Sequence, residues 1–344
     1  MKTILVTGSS RGIGKAIAEL ANKQGYKVIV HGRYDSEELQ KVHGNLEGSQ
    51  KISFDISDKQ ATLEAIAGLG AIDVLVNNAG IARNFLKDIS QMDDEKALEE
   101  YKTNVLGTLH CIQAVVPSML SRKLGSVISI SSIKGQSNLA TMSTLTFAAT
   151  KAGIISISKA LAKAYPNIRF NTVSPGYVET DQVDDWNEET FKRISDGTIL
   201  GRISKPEEIA PLVMFLASDE ASYITGSDFL ADGGYSIKGQ SNLATMSTLT
   251  FAATKAGIIS ISKALAKAYP DIRFNTVSPG YVETDQVDDW NEDTFKRISD
   301  GTIIGRISKP EEIAPLVMFL ASDEASYITG SDFLADGGYS IKGK

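Results

Sequence analysis

The chain has 344 residues, a net charge of −7, and 42% hydrophobic against 22% charged residues, a soluble globular balance with no electrostatic draw toward nucleic acid or an anionic membrane. Cys111 is the only cysteine, which excludes an intramolecular disulfide and thiol-rich metal sites. His31, His43 and His110 show no ligand spacing, so no metal is expected and they read as structural or surface residues.

Thr3–Val6 reads as a buried strand, too short for a signal peptide's apolar segment; no run approaches a membrane span, and the cytoplasm is the expected compartment. The strand runs into Thr7-Gly8-Ser9-Ser10-Arg11-Gly12-Ile13-Gly14 and then a helical pattern at Ile13, Ala16, Ile17, Leu20 and Ala21. Strand, glycine turn and helix cradle a pyrophosphate: glycines let backbone approach the phosphates, and free N–H groups and the helix dipole face the anion. A plain tight turn is the other reading of these glycines.

A second strand at residues 27–31 ends in Gly32-Arg33. An acidic residue at that place holds the adenine ribose hydroxyls, whereas arginine accommodates a 2′-phosphate. With Gly32 at the acidic place and Arg33 and Arg11 nearby, NADP(H) is favoured over NAD(H), the alternative being two solvated surface arginines. Next come a strand at 51–54, a helix near 59–68, a strand at 72–76 leading into Asn77-Asn78-Ala79-Gly80, one long helix over 94–120 carrying Asn104, and the strand Ser126–Ile130. Strands alternating with helices at this spacing mean an α/β fold with a doubly wound parallel sheet and ligand at the carboxyl ends of the strands.

Residues 134–237 recur at 238–341, an offset of 104, with only Asn167/Asp271, Glu189/Asp293 and Leu200/Ile304 differing. Ser-Ile-Lys-Gly begins at Ser132, Ser236 and Ser340, the trace of a tandem duplication with ends in a shared sequence. Two copies of this length are not a solenoid of short stacked units. Each copy holds a helix at 144–164, a strand at 168–173, the loop Ser174-Pro175-Gly176-Tyr177-Val178-Glu179-Thr180, an acidic stretch around Trp186, a helix opened by Lys205-Pro206-Glu207-Glu208, and the strand Asp228–Ala231 before Asp232-Gly233-Gly234.

Residues 1–234 resemble the short-chain dehydrogenase/reductase family, with a likeness to its 3-oxoacyl-carrier reductases. The pieces are Thr7-Gly8 with Gly12-Ile13-Gly14, Asp55-Ile56, Asn77-Asn78-Ala79-Gly80, Asn104, Ser131-Ser132, Lys151, Asn171 with Pro175-Gly176, and Asp232-Gly233-Gly234. The resemblance implies a single Rossmann-like domain with a seven-stranded sheet over residues 1–237, residues 238–344 being a surplus half-domain. It implies that the turn Gly8, Ser10, Arg11, Gly12, Ile13 and Gly14 holds the cofactor phosphates with Arg33 nearby. Asp55 and Ile56 would hold adenine, Asn78, Ala79 and Gly80 would lie along the cofactor, and Lys151 would bond the nicotinamide ribose. Pro175, Gly176, Val178 and Thr180 would cover the carboxamide, Ser132 would polarise the substrate oxygen, and Asn104 would hold a water in a proton relay.

One departure outweighs these agreements. The family carries a tyrosine four residues before the lysine, and this chain has Phe147 before Lys151 and Phe251 before Lys255. That tyrosine is the general acid/base, and its loss costs about 10²–10⁴-fold in rate. Ser143, upstream on the same helix, and Tyr177, in the cofactor loop, are not evident replacements. The expected activity is therefore a weakened NADP(H)-dependent exchange of hydride with a small carbonyl or alcohol; the alternatives are a cofactor-binding protein without turnover and a duplicated chain whose extra half serves assembly.

The segment after the Pro-Gly loop forms the substrate lid in the family, and here it carries Glu179, Asp181, Asp184, Asp185, Glu188 and Glu189. Those carboxylates favour a small neutral or cationic substrate over an acidic carrier protein, or they are only a solvated helix face. A homo-oligomer is expected. Each chain has one front half and two back halves, so one back half must stay loose, pack against its own kind, or rest outside the completed domain. Completion by the nearer copy is favoured, although extruding it is opposed only mildly, by roughly 0.6 kcal/mol per doubling of a loop.

Overall fold

The structure, a computed structural model, describes residues 1–136, 141–181, 186–236, 250–287 and 290–339. In chain order its strands and α-helices are β1 (Thr3–Val6), α1 (Gly12–Lys23), β2 (Lys27–Gly32), α2 (Glu37–Asn45), β3 (Gln50–Ser53), α3 (Lys59–Ala67), β4 (Val74–Asn77), α4 (Asp94–Tyr101), α5 (Thr108–Arg122), β5 (Ser126–Ile130), α6 (Leu145–Ala164), β6 (Arg169–Pro175), α7 (Glu188–Gly197), α8 (Pro206–Ala217) and β7 (Asp228–Ala231). The second copy adds α9 (Thr250–Ala268), β8 (Thr276–Pro279), α10 (Glu292–Gly301), α11 (Pro310–Ala321) and β9 (Asp332–Ala335).

Seven parallel strands form one sheet in the order β3-β2-β1-β4-β5-β6-β7. Alternation along each strand feeds two cores. Ile4, Val6, Val28, Val30, Val74 and Val76 meet Ile17 and Ala21 of α1 and Leu212 and Leu216 of α8 on one face. Leu5, Ile29, Leu75 and Val127 meet Ile66 of α3 and Val115 and Met119 of α5 on the other. The chain reverses direction across the sheet between β1 and β4, and the loops leaving those strands are the glycine turn and Asn78, where an open α/β sheet opens its ligand crevice.

The long helix expected over 94–120 is broken. α4 ends at Tyr101, residues Lys102–Gly107 form a π-helical turn, and α5 follows. The wider turn carries Asn104, and such turns are frequent at functional sites. α2 falls where the sequence suggested no helix, and α7 takes in Glu188 and Glu189 of the acidic stretch; each is capped by a polar side chain, Ser36 and Asn187, with glutamates in its first turn. The Met142–Ala164 stretch is long and apolar enough to cross a membrane by length and composition, contrary to the reading of the sequence. In this fold it lies against β6 with one face, including Ala148, Lys151, Ile154 and Ala162, buried.

The first copy supplies β6 and β7 to the sheet, and the second forms a separate parallel pair, β8-β9. The pair repeats the parent register: Thr172 faces Asp228 and Thr276 faces Asp332. The second copy is not loose. It packs on its own kind, α11 against α8, so that Leu316, Phe319 and Leu320 share a core with Leu212 and Leu216. What it lacks is the front half. Ile154 is 3% exposed but Ile258 46%, Ile168 1% but Ile272 52%, and Met214 2% but Met318 67%.

Candidate functional site

The glycine turn is shaped by two left-handed glycines, Gly8 at φ 64° and Gly12 at φ 53°. A Cβ on Gly14 would lie 2.3 Å from the Gly8 carbonyl oxygen, so the turn closes only with glycine there. Ser10 and Ile13 are half-buried within it, and the first turn of α1 carries no acid, leaving the helix dipole open to an anion. Asn78 clamps the turn, its Nδ2 donating to the carbonyls of Thr7 (3.0 Å) and Gly8 (2.9 Å), while the amides of Asn78 and Ala79 donate to the Thr7 hydroxyl. Thr180 of the Pro-Gly loop stands over Gly12, 3.2 Å from where its Cβ would be. Val178 lies in that loop, bridged to Ser204.

Both arginines expected near a 2′-phosphate have carboxylate partners. Arg33 Nη2 lies 2.7 Å from Asp55 Oδ2, and Arg11 Nη1 lies 3.0 Å from Asp181 Oδ2. The neighbourhood of Arg33 is thus not free of carboxylate, because β3 brings Asp55 to it. Burial works against charge on Asp55, yet the Ser57 hydroxyl and amide and the Arg33 guanidinium outweigh it and hold the carboxyl below its usual range. Ile56 is buried against the π-helical turn: a Cβ on Gly107 would lie 2.7 Å from its side chain.

On the far side of the crevice, Lys151 is 7% exposed and its ammonium donates to the Ile130 carbonyl at 2.8 Å. Burial pushes its pKa down to about 8. The Asn104 side chain donates to the Ile81 carbonyl and to Thr150 Oγ1 and accepts from the Ile81 amide. Gly80 separates these groups, with 3.1 Å from its would-be Cβ to Asn104 Oδ1 and 3.4 Å to Lys151 Nζ. Ser132 follows β5, and the short helix after it presses Gly135 on the Lys151 backbone, anchoring the serine's segment to α6. Asn104, Gly80, Lys151 and the Ser132 segment therefore gather at one end of the sheet.

Where the proton donor is expected stands a phenyl ring, its centre 5.6 Å from Lys151 Nζ. Neither substitute hydroxyl fits. Ser143 precedes α6 in a separate short turn, not on its helical face, and is exposed. Tyr177 packs edge-on against Trp186 and Tyr235, and burial raises its pKa, the wrong direction for a proton carrier. In the second copy Lys255 is exposed, since no β5 lies beside it; Phe251 falls outside the described side chains, as do Asp184 and Asp185. Glu188 and Glu189 are exposed in the first turn of α7.

A family model described as enoyl-(acyl carrier protein) reductase matches the chain twice, at residues 8–236 and 238–340. A 3-oxoacyl-[acyl-carrier-protein] reductase of Chlamydia trachomatis is 38% identical over 250 residues, 68% of this chain and 96% of that protein. This chain belongs to the short-chain dehydrogenase/reductase family. An acetoacetyl-CoA reductase of Rhizobium meliloti is 38% identical over 240 residues, 68% of this chain and 98% of its own length. Among solved structures, a 3-oxoacyl (acyl-carrier-protein) reductase from Agrobacterium tumefaciens with NADP bound superposes with a TM-score of 0.64 at 32% identity, covering 68% of this chain and 94% of that one.

This short-chain dehydrogenase/reductase also holds site residues that its sequence did not advertise. His31, read as merely structural, sits beneath the glycine turn: its Nδ1 accepts from the Gly8 amide (3.1 Å) and its Nε2–H donates to the Phe54 carbonyl (2.9 Å). Burial pushes it down to about 4, so it stays neutral and can accept. Glu100, wholly buried, accepts from the Arg83 and Asn84 amides and the Thr146 hydroxyl, tying the loop after β4 to the start of α6. Lys134 reaches over the Tyr177 ring, 5.8 Å from its centre, and is held below its usual pKa by burial and by Arg193. Only the strand position of His31 could have been read in advance; the other two depend on contacts between distant segments.

Proposed function

We propose that this chain binds NADP(H) and exchanges hydride with a small carbonyl or alcohol, slowly, because the proton-transferring hydroxyl is missing. One observation carries the reading: Lys151, Asn104 and Gly80 converge beside β5, while Phe147 presents a ring with no titratable atom. The glycine turn fits a dinucleotide, since a Cβ on Gly14 would fill the cradle that Gly8 and Asn78 close. Gly8, Ser10, Arg11, Gly12, Ile13 and Gly14 would hold its phosphates, Arg33 a 2′-phosphate, Asp55 and Ile56 the adenine, and Asn78, Ala79, Gly80, Lys151, Pro175, Gly176, Val178 and Thr180 the nicotinamide end. NADPH, when bound, supplies the hydride.

The remaining chemistry is the chain's own. The Ser132 hydroxyl polarises the substrate oxygen, and the Lys151 ammonium, pushed down to about 8, lowers the cost of negative charge there. Asn104 spends its side chain on Ile81 and Thr150, and so orients the relay rather than titrating. Water is left to deliver the proton, hence the slow turnover. A cytoplasmic setting belongs to the same proposal.

The substrate proposed is a small neutral or cationic carbonyl compound rather than a carrier-bound acyl chain. Glu179, Asp181 and the α7 glutamates support it, although Arg11 offsets one of these charges. The named relatives act on 3-oxoacyl and acetoacetyl thioesters, so the deciding assay is NADPH oxidation by a Phe147→Tyr variant with a short 3-oxo ester, its CoA thioester and its carrier-bound form. Faster turnover of the carrier-bound form overturns the substrate class. NADPH binding without turnover of any substrate, even after restoring the hydroxyl, favours a cofactor-binding protein instead.

A further inference from the structure

Several contacts between the two copies come in pairs related by exchanging the copies. The Tyr223 hydroxyl donates to the Arg306 carbonyl at 2.7 Å, and the Tyr327 hydroxyl to the Arg202 carbonyl at 2.8 Å. Arg306 lies over the Tyr223 ring at 5.2 Å, and Arg202 over the Tyr327 ring at 5.1 Å. Ser222 donates to Glu312 and Ser326 to Glu208. Equivalent residues meet on the axis itself: Phe215 stacks on Phe319 with centroids 4.9 Å apart, and Phe229 meets Phe333 at 5.5 Å. Such reciprocity defines a twofold, self-complementary interface. The second copy sits in a partner's seat.

What lies behind the two sides is unequal. Tyr327 presses on Gly233, whose left-handed backbone (φ 59°) leaves no room for a Cβ, 2.8 Å from the ring, and whose amide donates to the Tyr327 carbonyl at 3.3 Å. Gly233 belongs to the turn that Asp232 organises by accepting from the amides of Gly234 and Ser236. Asp232 in turn abuts Gly176, whose Cβ would lie 2.8 Å from the Asp232 Cα, and Gly176 opens the loop that ends over the glycine turn at Thr180. A continuous packed path thus runs from Tyr327 to that loop. Its mirror image, from Tyr223 through Gly337 and Asp336 to Gly280, ends in a copy that has no glycine turn to cover.

We propose that Tyr327, contributed by the second copy, is a positioning residue for the cofactor loop: it wedges the Asp232–Gly234 turn against Gly176 and so links NADP(H) affinity to the seating of the duplicate. The inference rests on the NADP(H) reading above. Its test uses the full chain and the internal symmetry. Tyr327→Ala and Tyr223→Ala each remove one ring and one hydrogen bond from the same interface, so a merely structural role makes them equivalent. By calorimetric titration with NADPH, Tyr327→Ala should weaken binding on the order of tenfold, in the usual range of coupling between sites. Tyr223→Ala should stay within about twofold of the parent, and Tyr327→Phe, which keeps the wedge, should bind nearly as the parent does.

Equal losses for the two alanine variants, or none for either, overturn the proposal. If the parent itself fails to bind NADPH, the functional reading falls, and hydrogen exchange still judges the wedge. Peptides that run from the Pro-Gly loop through Glu189 differ in mass from those ending at Asp293 and so report on one copy. Tyr327→Ala should speed exchange in the Glu189 peptides and Tyr223→Ala should not; unchanged exchange in Tyr327→Ala refutes the brace.

Discussion

The Lys151 ammonium stands 5.6 Å from the centre of the Phe147 ring, one helical turn away on α6 and close enough to lower the pKa of any hydroxyl placed on that ring. Phe147→Tyr should therefore raise NADPH-dependent carbonyl reduction by roughly 10²-fold or more. Phe251→Tyr should leave it unchanged, since Asn104 and the β5 strand that places Ser132 occur once and lie beside α6. Steady-state rates of the two variants decide it. Comparable rescue by both means that the two back halves exchange in solution, and no rescue by either, with NADPH still bound, rejects the hydroxyl as the limiting element.

Arg33 is held at 2.7 Å by Asp55 and both are partly exposed, so a 2′-phosphate meets a guanidinium already fixed in place. Arg33→Ala should weaken NADPH by about tenfold or more and leave NADH nearly unchanged. Fluorescence titration with each cofactor checks this, and equal losses for both would show that Arg33 does not read the phosphate.

Burial holds Lys151 at about 8, against 10.5 for the free group. A depressed folded-state pKa means that the native chain has released this proton between those values while the unfolded chain still binds it, so apo stability rises as pH climbs through the window. The gain is on the order of 3 kcal/mol in full. Above pH 10 the buried tyrosines, raised by desolvation, act in the opposite direction, so the slope belongs between pH 8 and 10. Urea midpoints measured across that range should climb for the parent and flatten for Lys151→Met.

Residues 1–237 contain every strand of the large sheet, and relatives of about that length are whole proteins. Freed of the duplicate, this piece presents Phe215, Tyr223 and Phe229 as a self-complementary face and should pair with itself. Sedimentation should give a dimer or a multiple of one. Ser222 is exposed, so Ser222→Asp leaves the fold intact yet sets a carboxylate against the partner subunit's Glu208, and it should shift the mass toward the monomer. A monomeric 1–237 chain would contradict the pairing.

The parallel sheet was legible because strand, glycine turn and helix recur at short range, and Ser126–Ile130 and Asp228–Ala231 fall where their apolar patterning put them. The π-helical turn at Asn104 was not, because its cause is three-dimensional: the Asn104 side chain ties to Ile81 and Thr150. Asp55 beside Arg33 was likewise hidden, since only pairing of β3 with β2 brings them together. The seat of the duplicate was the least legible part. Nothing in a repeated sequence says which of its surfaces recognises itself.

The bare face of the second copy, with Ile258, Ile272, Val317 and Met318 open to water, is the same surface that the front half covers on the first. Synthesis runs in one direction, so residues 1–133 close on the nearer copy while the farther one is still on the ribosome. A chain refolded from denaturant has no such head start. Both copies then compete for one front half, and the nearer keeps only the mild preference of its shorter connection. Vectorial synthesis thus favours the arrangement seen here, and refolding from denaturant removes that bias.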